Sequence, residues 1–256
     1  MSSEPVRAEL PGVLSLAGKR ILVTGAASGI GQATALAVAR LGGALALTDR
    51  DPLDETGRLV DAIGASHRSI RGDLADEAFI VDTLIGQGPY DGLVHAAGVF
   101  PASGGRTENE TFHFVMQVNL RAAMLLGMRC SEQMAANGGG NVVLIGSLGG
   151  RNGGVMIDNM SLDYAAYATS KGGVHTMVKW LARRMVGRNV LVNAIAPGVI
   201  RTPMNDGMTL DRALFPLGRM GDVSEIAWPA AFLLTRAAGY FSGAVIDVNG
   251  GSYVGS

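Results

Sequence analysis

The eight residues Thr24–Gly31, TGAASGIG, constrain this chain more tightly than any other stretch. They fall directly between RILVTG (20–25), an apolar run that reads as a buried strand, and GIGQATALAVARLG (29–42), an Ala-rich run that reads as a helix. Gly25, Ser28, Gly29, Ile30 and Gly31 therefore lie in a turn from strand into helix. Glycines at such a turn permit tight bending and let the backbone approach a ligand closely. The helix N-terminus that follows stabilises an anion such as a pyrophosphate through its unpaired N–H groups. A glycine-rich loop by itself is also an ordinary turn, so its meaning depends on what surrounds it.

The strand–helix rhythm continues along the chain. ALALTD (44–49), SIRGDL (69–74), GLVHAAG (92–98), NVVLIGS (141–147), VLVNAIAPG (190–198) and AVIDVNG (244–250) read as strands. Helical stretches separate them, around 53–63, 77–85, 108–136, 164–186 and 223–234. Seven strands in β–α alternation, several of them apolar throughout, predict an α/β fold with a doubly wound, seven-stranded parallel sheet covered on both faces. No repeat or low-complexity linker divides the chain. The expectation is one domain over 17–256, preceded by a loose arm over 1–16 that is punctuated by Pro and Gly.

Composition narrows the function. Hydrophobic residues make up 48% of the chain, yet no apolar run reaches the roughly 20 residues that span a bilayer. No membrane role is expected, and the N-terminus lacks the apolar core of a secretory signal, so a cytoplasmic location is expected. A net charge of −1 argues against binding to nucleic acid. Cys130 is the single cysteine, and His67, His95, His113 and His175 show no ligand spacing, so no metal is expected. A small molecule is the remaining class of partner.

Asp49 stands twenty residues after Gly29, at the tip of the second strand. A carboxylate there can accept hydrogen bonds from ribose hydroxyls and would repel a 2′-phosphate, which favours NAD(H) over NADP(H). Arg50 next door complicates this, because a guanidinium could reach such a phosphate. Asp73 and Leu74, at the tip of the third strand, are placed to touch the adenine, although Asp after Gly is also a common turn.

With TGAASGIG, the chain also contains YATSK (167–171), and the pair resembles the TGxxxGxG and YxxxK motifs of the short-chain dehydrogenase/reductase family, in its single-domain subgroup of about this length. Asp49, Asp73-Leu74, HAAG (95–98), Asn119 in VNL, Ser147, APGVIRT (196–202) and VNGG (248–251) follow in the family's order. The resemblance implies a Rossmann fold and a catalytic set of Asn119, Ser147, Tyr167 and Lys171. It adds Ala96, Gly98, Tyr167, Lys171, Pro197, Gly198, Ile200 and Thr202 to the cofactor contacts, and it implies a homo-oligomer, more often a tetramer than a dimer.

The chemistry is coherent. Interconverting a secondary alcohol and a ketone moves a hydride and a proton; the dinucleotide handles the hydride and the protein handles the proton. A free tyrosine, with a pKa near ~10, is a poor base at neutral pH. A nearby ammonium and an oxidised nicotinamide both favour the phenolate. Lys171 lies one helical turn after Tyr167, whereas Tyr164 is about 10 Å of helical rise from it at ~1.5 Å per residue. Tyr167 is therefore the expected acid/base. Ser147 would polarise the substrate oxygen, and Asn119 would anchor a water relay.

Two departures from the family pattern mark what is particular here. HAAG stands where many relatives read NNAG, so His95 either packs as a hydrogen-bonded histidine or touches the cofactor region. Ser147 and Tyr167 are twenty residues apart, some seven more than is usual, which enlarges the segment 148–163. That segment is either a harmless excursion or a wall of the substrate pocket, with Met156, Ile157, Met160 and Tyr164 as candidates. Met204 and Met208, in the second segment 203–218, are candidates on the other side. Together they suggest a fairly apolar alcohol or ketone. The alternatives are a 3-oxoacyl-(acyl-carrier-protein) reductase using NADPH and, in another class, a non-catalytic dinucleotide-sensing or scaffold protein.

Overall fold

The computed structural model describes residues 12–100, 105–153, 162–205 and 215–255. Seven strands form one parallel sheet in the order β3-β2-β1-β4-β5-β6-β7. These are β1 (Arg20–Thr24), β2 (Ala44–Asp49), β3 (His67–Arg71), β4 (Gly92–His95), β5 (Gly140–Ile145), β6 (Val190–Pro197) and β7 (Val245–Val248). The helices are α1 (Gly29–Arg40), α2 (Asp54–Ile63), α3 (Glu108–Val115), α4 (Ala122–Ala136), α5 (Gly149–Asn152), α6 (Leu162–Arg184) and α7 (Ser224–Leu233). This is the doubly wound Rossmann architecture in a single domain.

Alternation along the strands sends side chains to two separate cores. Ile21, Val23, Leu45, Leu47, Val94 and Ile195 pack with Val38 of α1 and Ile226, Ala230 and Leu233 of α7. Leu22, Ala46, Leu93, Val142 and Leu144 pack on the other face with Leu126, Cys130 and Met134 of α4 and Val174, Val178 and Leu181 of α6. Leu16, which the sequence reading placed at the end of the arm, is buried in the first core, and its N–H bonds to Leu41 O. No described helix is long and apolar enough to cross a membrane.

Two differences from the sequence reading bear on the site. Residues 69–74 were read as a strand, but β3 begins earlier and ends at Arg71. The chain leaves the sheet because Asp73 Oδ1 accepts the Ala75 N–H at 2.8 Å, an Asp-headed turn that competes with strand pairing. The helical region 108–136 is continuous, but Met116–Arg121 winds as a π-helix between α3 and α4. Such insertions often lie at functional sites, and Asn119 sits within this one.

The order of strands reverses between β1 and β4, and a crevice opens there beyond the carboxyl ends of the strands. The loops after β1, β2, β3, β4, β5 and β6 all reach that edge.

Candidate active site

The loop after β1 is built for close backbone approach. Gly25 has φ +67°, and a Cβ on it would stand 2.7 Å from Ala97 N. A Cβ on Gly31 would overlap the carbonyl oxygen of Gly25. Only glycine lets helix α1 start this tightly against the strand. Thr56 Oγ1 donates to Ala26 O at 2.7 Å, and Gln32 Nε2 donates to Ala27 O and to Thr56 Oγ1, so side chains from α1 and α2 hold the loop's backbone. Sequence reasoning missed Gln32 and Thr56, whose roles depend on a contact between two helices.

Gly25, Ser28, Gly29, Ile30, Gly31, Asp49, Asp73, Leu74, Ala96, Gly98 and Thr202 line one arm of the crevice. Asp49 is partly used by the protein itself: one oxygen accepts Ala27 N–H at 3.0 Å and the other accepts Asp51 N–H at 3.1 Å. A carboxylate has about four acceptor sites, so capacity for ribose hydroxyls remains. Arg50 lines the same arm. The glycine cradle, the start of α1 and this carboxylate suit a dinucleotide's pyrophosphate and ribose.

A second arm of the crevice adjoins the first, since Ile30, Ala96, Gly98, Thr202 and Met204 line both. Ser147, Tyr164, Tyr167, Lys171, Pro197, Gly198 and Ile200 line the second arm with Phe100, Leu148, Gly149 and Val199. The expected set of Ser147, Tyr167 and Lys171 is thus brought to one place. Asn119 lies just behind: its Oδ1 accepts Val99 N–H at 2.7 Å, and its Nδ2 donates to Val99 O and to Ser170 Oγ. Ser170 in turn donates to Tyr167 O at 2.7 Å. A Cβ on Gly98 would come within 3.3 Å of Lys171 Nζ and 3.4 Å of Asn119 Oδ1, so the bare backbone there makes room for both. Met156, Ile157, Met160 and Met208 lie outside the described residues.

The electrostatics at this end are set mainly by burial. Lys171 is 4% exposed, its ammonium donates to Ile145 O at 2.9 Å, and desolvation pulls its pKa down to about 8. Desolvation pushes the Tyr167 phenol upward, while a hydrogen bond with Ser147 pulls it back and the neighbouring Tyr164 adds to the rise. Lys171 Nζ stands 5.9 Å from the Tyr167 ring centroid. Ser147 Oγ also accepts Gly149 N–H at 3.0 Å, which fixes the hydroxyl for its partnership with Tyr167.

Both histidines near the site are neutral structural groups. His95 is buried, and its Nδ1 shares a 2.9 Å hydrogen bond with Thr24 Oγ1, tying β4 to β1. Burial, then the Lys171 charge, lowers its pKa to about 3. His175 lies under the turn after β5, where its Nε2 accepts Ser147 N–H at 3.4 Å, and burial first lowers its pKa to about 4. The enlarged segment begins as the short helix α5, which Arg151 fastens to β7 through Asp247 at 2.9 Å. Among the described residues, no three His, Cys, Asp or Glu side chains gather as a metal site.

Comparison with known proteins agrees with this geometry. The family model described as enoyl-(acyl carrier protein) reductase matches residues 25–253. The chain is 35% identical over 252 residues to galactitol 2-dehydrogenase (L-tagatose-forming) of Cereibacter sphaeroides, covering 93% of this chain and 96% of that one. It is 32% identical to a 3-oxoacyl-[acyl-carrier-protein] reductase of Salmonella typhimurium, over 94% of this chain and 100% of that one. A Beutenbergia cavernae crystal structure, described as an NAD(P)-dependent gluconate 5-dehydrogenase with NADP bound at low occupancy, superposes with a TM-score of 0.86 at 34% identity, covering 94% and 99% of the two chains. The ordered motifs, the Rossmann sheet and these near-full-length matches together place the chain in the short-chain dehydrogenase/reductase family of oxidoreductases.

Proposed function

We propose that the protein interconverts a secondary alcohol and a ketone with NAD(H), using Tyr167 as the acid/base. The observation that carries this is that a Ser147–Tyr167 hydroxyl pair and the glycine loop before α1 line adjoining arms of one crevice. A bound nicotinamide dinucleotide supplies or accepts the hydride. Ser147 polarises the substrate oxygen, and Tyr167 gives or takes the proton on that oxygen. Lys171, one turn along α6, supports the phenolate and the nicotinamide ribose. Asn119 holds the Val99 backbone and, through Ser170, the Tyr167 turn, so it keeps the wall opposite Lys171 in place.

Dinucleotide choice turns on Asp49. Its carboxylate occupies the ribose end, where a 2′-phosphate would meet negative charge. Arg50 and the NADP in the Beutenbergia structure favour a second reading, an NADPH-dependent reductase of the 3-oxoacyl type, to which the Salmonella relative also points. The apolar walls Phe100, Leu148, Val199 and Met204 suit a neutral substrate, and two relatives carry names of dehydrogenases acting on a polyol or sugar acid. Initial rates on a panel of secondary alcohols and ketones with NAD(H) and NADP(H) separate the readings. NAD(H) is expected to win by at least about tenfold in kcat/KM; a strong NADP(H) preference would remove Asp49 as the selector.

The protein assembles as a homo-oligomer, a tetramer by the family's habit. The two sheet edges support this by their contrast. β3 carries Arg68 and Arg71, charges that discourage edge pairing, whereas β7 carries Val245, Ile246 and Val248, and the chain between α7 and β7 exposes Tyr240 and Phe241.

A further inference from the structure

The space beside the paired hydroxyls is shaped by a residue without a side chain. A Cβ built on Gly149 would lie 3.5 Å from Ser147 Oγ, 3.6 Å from Tyr164 Oη and 3.7 Å from Tyr167 Cε1. Three side chains thus converge on one point of the crevice, and two of them present hydroxyl oxygens to it. Tyr164 is one turn before Tyr167 on α6, and the edge of Phe100 packs against both rings, with centroids 5.6 and 5.0 Å apart. These contacts fix the direction of the Tyr164 ring. Lys171 is the one cation among the described residues lining this arm, and it is already bonded to Ile145 O.

We infer that Tyr164 and the space over Gly149 form a subsite for a second oxygen, selecting substrates that carry a hydroxyl on the carbon next to the reacting one. The substrate class is then the neutral vicinal diol and its α-hydroxy ketone. This rests on the function proposed above. With the reacting oxygen between Ser147 and Tyr167, a gauche oxygen on the adjacent carbon falls over Gly149, beside Tyr164 Oη. A phenol oxygen can both donate and accept, so Tyr164 can meet this oxygen in either sense. In the oxidation the carbinol hydrogen leaves as hydride to the oxidised dinucleotide and the hydroxyl proton goes to Tyr167. The neighbouring hydroxyl is unchanged, and the product is the α-hydroxy ketone. A carboxylate or phosphate at the second position would find, among the described lining residues, only the Lys171 ammonium, which already serves Ile145 O and, in the proposed reaction, the nicotinamide ribose.

The test compares matched probes, 2,3-butanediol against 2-butanol and 1,2-cyclohexanediol against cyclohexanol, in the wild-type protein, Tyr164→Phe and Gly149→Ala. Wild type is expected to favour the diols in kcat/KM by roughly fivefold to tenfold, the worth of one hydrogen bond. Tyr164→Phe removes the hydroxyl, and the diol preference should collapse towards unity. Gly149→Ala puts a methyl group at ordinary contact distances into the same space, so it should fold and also lose the preference. A diol preference that survives both substitutions, or none in the wild type, overturns the subsite while leaving the alcohol–ketone reading intact. Turnover of no probe by the wild-type protein overturns that reading, and this inference with it.

Discussion

Among single residues, Lys171 is a lysine held where lysines are costly. Burial lowers the Lys171 pKa to about 8, against an ordinary ~10.4 in an unfolded chain. Between those values the unfolded state binds more protons than the folded one, so stability rises with pH across that window. Below it the full cost is present, on the order of 3 kcal/mol from the shift. Lys171→Met should therefore raise the melting temperature of the ligand-free protein at pH 7 and abolish most turnover. The gain should shrink as pH climbs from about 8 towards ~10.4. Thermal unfolding of both proteins across that range checks the sign; a gain that grows with pH contradicts it. Tyr167 and Lys171 were legible because they stand four residues apart in a motif that resembles the family's YxxxK, and Ser147 because it ends a strand in the family's order. His175 was not: its contact with Ser147 spans 28 residues, and nothing near either residue announces it.

At the element scale, the turn after β5 is pressed onto α6 with no space to spare. A Cβ on Gly146 would overlap His175 Nε2, and one on Gly150 would come within 2.7 Å of Gly172 N. Gly146→Ala should cost about 1–3 kcal/mol through overpacking and disturb Ser147 next to it. His175→Ala vacates the ring's place, so the double variant should cost less than the sum of the singles by about 1 kcal/mol or more. Chemical unfolding of the four proteins of that cycle measures the coupling; strict additivity contradicts the contact. The strands and most helices were legible in the same way as the motifs, from alternation and apolar runs. The π-helix around Asn119 was not, since a single turn of i→i+5 bonding shifts the apolar face by only one residue within a helical region that is apolar on several sides. The end of β3 was missed because the Asp73 turn, a local side-chain bond, outcompeted strand pairing.

At the scale of the whole molecule, one sheet gathers motifs that lie far apart in sequence onto a single edge, because all seven strands run parallel. The doubly wound topology was legible from the alternation, and with it the meeting of Gly25, Asp49, Ser147 and Tyr167. The Arg151–Asp247 fastening between α5 and β7 joins residues 96 apart and was not legible. The contrast between the charged β3 edge and the aliphatic β7 edge predicts association through the β7 side. Light scattering should give a mass of at least two chains, and Tyr240→Asp should lower it; a monomer at micromolar concentration contradicts this. The central claim is that a protein-borne acid/base, Tyr167, moves the substrate proton in a dinucleotide-dependent reaction. Its most direct test is the turnover of Tyr167→Phe on the best alcohol from the panel, beside NAD affinity measured on the same sample. The account predicts a fall in kcat of roughly 10²–10⁴ with NAD binding largely retained; near-normal turnover in the variant would contradict it.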